Sequence, residues 1–372
     1  MSLQSPFKVQ RFILFVSLSF FLTACSFFTE REQNSFTVAK VSYLGTVWNK
    51  GQENASVISQ DGGFSFIVPG GSLWYFGDTF LGQRLPDNKY DTKGGLSCSL
   101  AFLDKKDFNA PLPPRLKYFT DGTGLAEQAI EYLPNENPDK IRLWPLSGIY
   151  LNGKYYCFYS YIEKTGNGTW DFKQTGSGLA ESDKPITSYK RVLKNGDFHF
   201  PIAPSALVLE GDYLYCYSIG INGRDVYLSR VRPTEIENPE AYYFYSDNGN
   251  FTRNNEKTVF LSDIYGQLSI AWNEYLKLYV MAQSSDFFHP REIRFRTSPA
   301  PIGPWSEPFA SIKVPEQAQN GQVDLIYCSY FHPELFRENG KIMVLTYSIY
   351  MKSRWFDINN EMIEFEIIKS AK

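Results

Sequence analysis

One strand pattern returns five times along this chain, and that recurrence limits the possible folds more than any other feature. It reads GSLWYFGD around Trp74, NGKYYCFYSY around Tyr156, GDYLYCYSIG around Tyr215, EYLKLYVMAQ around Tyr279 and NGKIMVLTYS around Met343. Each copy opens on a turn of Gly, Asn, Asp or Glu character and then runs apolar and aromatic. A shorter small-residue segment precedes each one: GFSFIV at Gly63, PLSGIYL at Pro145, APSALVL at Ala203, GQLSIAW at Gly266 and YFHPELF at Tyr330. The anchors lie 82, 59, 64 and 64 residues apart. A turn between two short apolar runs marks a β-hairpin, and a long repeat period marks units that stack their faces. Five such units predict an all-β, five-bladed β-propeller, which removes exposed sheet edges by radial closure. One inner strand per blade then lines a single channel, and function is expected there. Residues 36–44 and the alternating EMIEFEIIK segment at 362–368 are expected to pair and close the ring.

The first residues read as a targeting segment. Lys8 and Arg11 form a basic start, and residues 12–22 are apolar but too short for a stable membrane span. The stretch ends in Leu22-Thr23-Ala24-Cys25, which resembles a bacterial lipobox. That resemblance implies cleavage before Cys25, lipidation of its sulfur, and an exported protein tethered to a membrane; an ordinary signal peptide containing a Cys is the alternative. Residues 1–24 are thus expected to be a signal peptide, 25–35 the lipidated Cys and a short tether, and 36–372 one propeller domain. No later segment approaches the apolar length of a transmembrane helix.

Removing Lys8 and Arg11 takes the formal charge from -3 to -5, with no basic run, which argues against nucleic acid as a partner. Aromatics form 17% of the chain, enough both for inter-blade packing and for a surface on which sugar rings stack. Cys98, Cys157, Cys216 and Cys328 remain after maturation. Three of them are spaced 59 apart, at similar places in consecutive blades. Equivalent positions in neighbouring blades are too distant for a bridge, so they read as small buried hydrophobes. Neither a CxxC nor a Cys/His pairing suggests zinc, and no cofactor is implied.

The candidate chemistry begins in the first blade. Asp61-Gly62-Gly63 opens the inner strand and Gly77-Asp78-Thr79 closes the next, so a single hairpin returns both carboxylates towards one pocket. Two convergent acids are what glycoside hydrolysis needs, one to protonate the leaving oxygen and one to attack or activate water. Asp and Thr also cap turns, which leaves a purely structural reading open. In the fifth blade, His332 and Glu334 are expected on one face of an inner strand, beside the first-blade pocket. There Glu334 would be a third catalytic carboxylate, and His332 would touch substrate or line a channel cation site. A satisfied structural His beside a surface Glu is the alternative. Other inner strands offer Trp144 and Ser147, His199 and Ser205, and Gln267 and Ser269. Trp144, Ser147, Ser205 and Gln267 are therefore candidate substrate contacts. His289 falls on a loop. There is no GxSxG, phosphate loop, HExxH or sialidase Asp-box, so serine hydrolase, nucleotide and zincin readings lack support.

Residues 61–82, DGGFSFIVPGGSLWYFGDTFLG, resemble the opening of a bacterial family long known only as a domain of unknown function. The likeness continues in SGIYLNGKYYCFY, in SGLAES near Ser177, in IRFRTSPAPIGPWSEP at 293–308 and in HPELFRENGKIMVLTYS at 332–348. Characterised members of that family are endo-acting D-arabinofuranases on five-bladed propellers. The resemblance implies that Asp61 and Asp78 are the matching acidic pair and that the substrate is a carbohydrate. The expected protein is a lipid-anchored glycoside hydrolase acting on a furanose-containing or other cell-envelope polysaccharide. A non-catalytic glycan-binding propeller and a scaffold lipoprotein of the envelope are the alternatives.

Overall fold

Five antiparallel sheets are arranged radially, and the last is completed by the first strand of the chain. The structure is a computed structural model. It describes residues 36–47, 55–85, 90–168, 170–185, 188–193, 203–220, 223–246, 249–253, 258–286, 290–318, 321–351 and 358–370. Cys25, His199 and His289, with the proposed signal peptide and tether, lie outside the described residues.

The inner strands are Val57–Val68, Pro204–Glu210, Ile141–Leu151, Tyr265–Asn273 and Gly321–Phe331, belonging to blades one, three, two, four and five. In blades one to four a short hairpin leads from the inner strand to the next, as the repeated turn predicts: Val68 pairs with Gly71, and Glu210 with Tyr213. In blade five a longer connection with two 3-10 turns, Pro333–Leu335 and Glu338–Gly340, takes its place. Ring closure is made by Phe36–Thr46, which pairs antiparallel with Ile358–Lys369 from Phe36↔Lys369 to Thr46↔Glu361. The expected joining of the two ends therefore holds, slightly longer at each side.

The buried apolar clusters span neighbouring blades. Leu73, Tyr75, Cys157 and Tyr159 pack between blades one and two, and Trp74, Phe76, Val344 and Met362 between blades five and one. Most of the aromatic surplus is accounted for here, since Trp74, Tyr75, Phe76, Tyr159 and Tyr217 are fully buried. Burial of side chains this size stabilises by about 1.5–3 kcal/mol each. Cys98, Cys157, Cys216 and Cys328 are free and buried, as their spacing predicts. Among the described residues, no helix is long and apolar enough to cross a membrane.

Small hydroxyls tie neighbouring inner strands together around the channel. Ser147 Oγ donates to the Pro204 carbonyl at 2.5 Å, Ser205 Oγ to the Leu268 carbonyl at 2.9 Å, and Ser269 Oγ accepts from the Phe331 amide at 2.9 Å. These contacts satisfy buried backbone groups that the register between blades would otherwise leave unpaired.

The fifth blade departs from the sequence reading. Its inner strand is Gly321–Phe331, which takes in only Tyr330 and Phe331 of the YFHPELF segment, with a register shift between Tyr327 and Tyr330. Pro333 has no amide hydrogen to continue a ladder, and Pro333–Leu335 forms a 3-10 turn preceded by His332. His332 and Glu334 are thus not alternating strand residues.

Candidate active site

Blade one is elongated at the end of its two inner strands that lies away from their hairpin turn. Asp61 lies within Val57–Val68 and Asp78 within Gly71–Arg84, in mid-strand rather than at strand ends. The extra length of the second strand pairs with Tyr90–Leu96, an additional strand peculiar to this blade. Register shifts between Gln60 and Gly62 and between Gly62 and Phe64 bulge the inner strand opposite Gly77 and Asp78. Bulges re-aim side chains, and this one turns Asp61 towards its neighbour strand.

Glycine leaves room on both sides of that bulge. Gly62 has φ +75°, and a Cβ there would meet the Gly77 amide nitrogen at 2.9 Å. At Gly77 a Cβ would fall 2.3 Å from Asp61 Oδ1. The bulge is tied to blade five, where the Gly62 amide donates to Ser348 Oγ at 3.0 Å and Asn360 Nδ2 donates to the Gly62 carbonyl at 2.5 Å.

Both carboxylates line a cavity of about 510 Å³. Tyr327 Oη donates to Asp61 Oδ2 at 2.8 Å, and Trp144 Nε1 donates to Asp78 Oδ1 at 3.0 Å. Arg142 Nε stands 3.6 Å from the same Asp78 oxygen, and the Asp78 side chain keeps 23% of its surface exposed. The opposite wall is aromatic: Trp170 and Phe172, from the long second hairpin of blade two, with Tyr350 of blade five. Trp170 approaches Tyr350 with ring centroids 5.8 Å apart, bridging blades two and five beside the acids.

The two acids differ electrostatically. Burial and the nearby Asp78 charge push Asp61 up to about 8, against a smaller opposing effect of the Tyr327 phenol. Burial also raises Asp78, but the Trp144 N–H and the Arg142 charge both work against that rise. The pair therefore holds one proton near neutral pH, and the Trp144 and Arg142 contacts to Asp78 favour Asp61 as its site. Burial and the Asp61 charge hold Tyr327 well above the usual phenol range, so it remains a donor.

Of the residues singled out in the sequence, Asp61, Asp78, Trp144 and Gln267 share this cavity. Gln267 Oε1 accepts from Cys328 Sγ at 3.1 Å. Ser147, Ser205 and Glu334 do not line it: all three border a separate depression of about 320 Å³ at the opposite end of the inner strands. Ser205 also lines an adjoining cavity of about 480 Å³ that shares Trp144, Phe172 and Gln267 with the acidic one. The Ser147 and Ser205 hydroxyls both donate to inter-blade carbonyls, and Ser147 lies away from the acidic cavity. His332 is fully buried and stacked on Trp74, with centroids 4.0 Å apart and planes at 9°. Its Nδ1 is 2.7 Å from Ser65 Oγ and its Nε2 2.8 Å from Thr346 Oγ1. No ring nitrogen is left for substrate or for a channel cation, and burial lowers His332 to about 3. Blade five does adjoin blade one, but these residues follow the far end of its inner strand, which is why they miss the acidic pair. Among the described residues, no group of His, Cys, Asp and Glu could hold a metal ion.

Tyr327, Arg142, Trp170, Phe172 and Tyr350 were not singled out in the sequence. The TWDF segment at 169–172 carried a weak signal, as two exposed aromatics beside a Gly-rich turn.

This fold occurs in a crystal structure described as a "putative hydrolase from Bacteroides ovatus ATCC 8483", with a TM-score of 0.62 at 15% identity over 83% of this chain and 86% of that one. The GH43_1 enzyme from Xanthomonas citri complexed with xylose aligns with a TM-score of 0.50 at 12% identity, over 86% and 89%. No curated protein matches the chain. The model of the family described as "Domain of unknown function (DUF4185)" matches residues 44–357, and the protein is a member of that family.

Proposed function

We propose that this protein is a glycoside hydrolase that cleaves a furanose-containing, arabinan-like polysaccharide with Asp61 as acid and Asp78 as its charged partner. The observation that carries this reading is the dressing of the two carboxylates within one cavity. Asp61 sits at about 8 and is protonated at neutral pH. Asp78 is held by an indole N–H and faced by a guanidinium. In the reaction, Asp61 gives its proton to the glycosidic oxygen as the C1–O bond breaks. Asp78 attacks C1 or takes a proton from the attacking water. As Asp61 becomes charged, its Tyr327 hydrogen bond strengthens, so that contact stabilises the transition state more than the ground state.

The aromatic wall of Trp144, Phe172, Trp170 and Tyr350 suits sugar faces, and the same-fold enzyme complexed with xylose is consistent with a carbohydrate occupant. The resemblance of residues 61–82 to D-arabinofuranases favours a furanose polymer. We further propose that the protein is exported and lipid-anchored through Cys25, so that it meets envelope polysaccharide. The test is incubation of the purified propeller with arabinans, galactans and other furanose polymers, followed by chromatography of released oligosaccharides. Release from an arabinan supports the proposal; binding without release supports a glycan-binding propeller instead.

A further inference from the structure

The chain enters the propeller on the face opposite the acidic pair. Phe36 pairs with Lys369, level with the tight hairpins, whereas Thr46 pairs with Glu361 beside Asn360, which bonds the Gly62 bulge. The entry strand thus spans the height of the molecule, about 35 Å for its 11 residues. Residues 26–35, between Cys25 and the entry point, reach at most about 33–36 Å when fully extended.

That entry face also carries exposed apolar side chains. Ile67 is 59% exposed, Leu209 50%, Trp272 43% and Ile368 48%. Their partners place all four near this end: Ser72, Leu214, Tyr279 and Thr37. Ile67 and Leu209 flank the far depression, whose lining continues in Phe66, Leu207 and Ile270.

We infer that the anchored protein rests with this entry face on the lipid surface and turns the Asp61–Asp78 cavity away from the membrane. The inference rests on the anchored reading of Cys25 but not on the hydrolase reading. A tether attached at Phe36 would have to give up its whole contour along the side wall before the cavity mouth could reach the bilayer. Chain entropy opposes that extension, and the apolar side chains favour the shorter arrangement. The occupant of the exposed apolar face is therefore the lipid headgroup region, and the substrate is a polymer lying outside it.

The test uses the full chain, expressed with its anchor and reconstituted into phosphatidylethanolamine–phosphatidylglycerol vesicles containing a headgroup-nitroxide lipid. A fluorophore is placed at Leu209→Cys or at Leu85→Cys, an exposed position at the site-side end of blade one. The parent chain, whose described cysteines are buried, sets the background. The inference predicts co-flotation with several-fold stronger quenching at position 209 than at 85. Co-flotation with equal quenching, or stronger quenching at 85, overturns the orientation and leaves the anchor standing. Failure to co-float overturns the anchor and the orientation together, leaving the hydrolase proposal untouched.

Discussion

The Tyr327 phenol donates to the Asp61 carboxylate across the junction of blades five and one, 2.8 Å apart and 266 positions apart in sequence. Ring closure therefore completes the acid itself, because the group that tunes Asp61 arrives from the last blade. The hydrogen bond favours the charged form and pulls Asp61 down against burial. Tyr327→Phe should raise the upper apparent pKa of kcat/KM above about 8. It should also lower the plateau about 10–100-fold, the worth of a hydrogen bond to a charged group. A pH profile of the purified variant checks both.

Trp144 and Arg142 act on the other limb of that profile. Both oppose the rise in the Asp78 pKa that burial causes. Trp144→Phe should move the acidic limb to higher pH and leave the alkaline limb in place. It should reduce kcat/KM by about 1.5–3 kcal/mol of lost transition-state stabilisation. If the shift falls on the alkaline limb instead, the assignment of acid and partner is reversed.

Gly77 separates activity from stability. A Cβ at this position would press on Asp61 Oδ1, a side-chain atom, while the backbone needs no left-handed conformation. Gly77→Ala should therefore displace the carboxyl and reduce turnover by about 100-fold, as misplaced catalytic groups do. Its thermal midpoint should fall only modestly, which a melting curve measured beside the assay will reveal.

His332 should behave as a structural residue. Burial against Trp74 holds it neutral, at about 3 in the fold against 6.5 as an ordinary value. Its folded pKa is depressed, so the stability it contributes is complete above about pH 6.5 and is lost as pH falls towards 3, by up to about 4–5 kcal/mol. His332→Ala should destabilise the fold by about 3–4 kcal/mol through the lost stack and unpaired hydroxyls, leaving turnover per folded molecule unchanged. Denaturant titration at several pH values, with activity normalised to folded protein, separates the two effects.

The sequence was most legible where chemistry and local geometry coincide. The turn-plus-apolar repeat predicts five blades because each tight hairpin must carry its own turn residues. DGG and GDT point to the acidic pair because the same glycines that permit the bulge flank both acids. The fifth inner strand was misread because its alternation breaks: Cys328 has φ 55°, and the register slips between Tyr327 and Tyr330. That slip hid Tyr327 and lent His332 and Glu334 a strand pattern they do not follow. Arg142, Trp170 and Tyr350 join the site only through blade placement and hairpin length, which no local spacing encodes.

Replacement of the two acids tests the central claim most directly. Asp61→Asn and Asp78→Asn should each abolish release of oligosaccharides from the polysaccharide that the intact propeller cleaves, by about 10³-fold or more, as loss of a general acid or nucleophile does. Both variants should keep the wild-type circular dichroism spectrum, and Asp61→Asn should remove the loss of stability that wild type suffers as pH rises from about 4 to 8. Either folded variant retaining near-wild-type turnover would contradict the account.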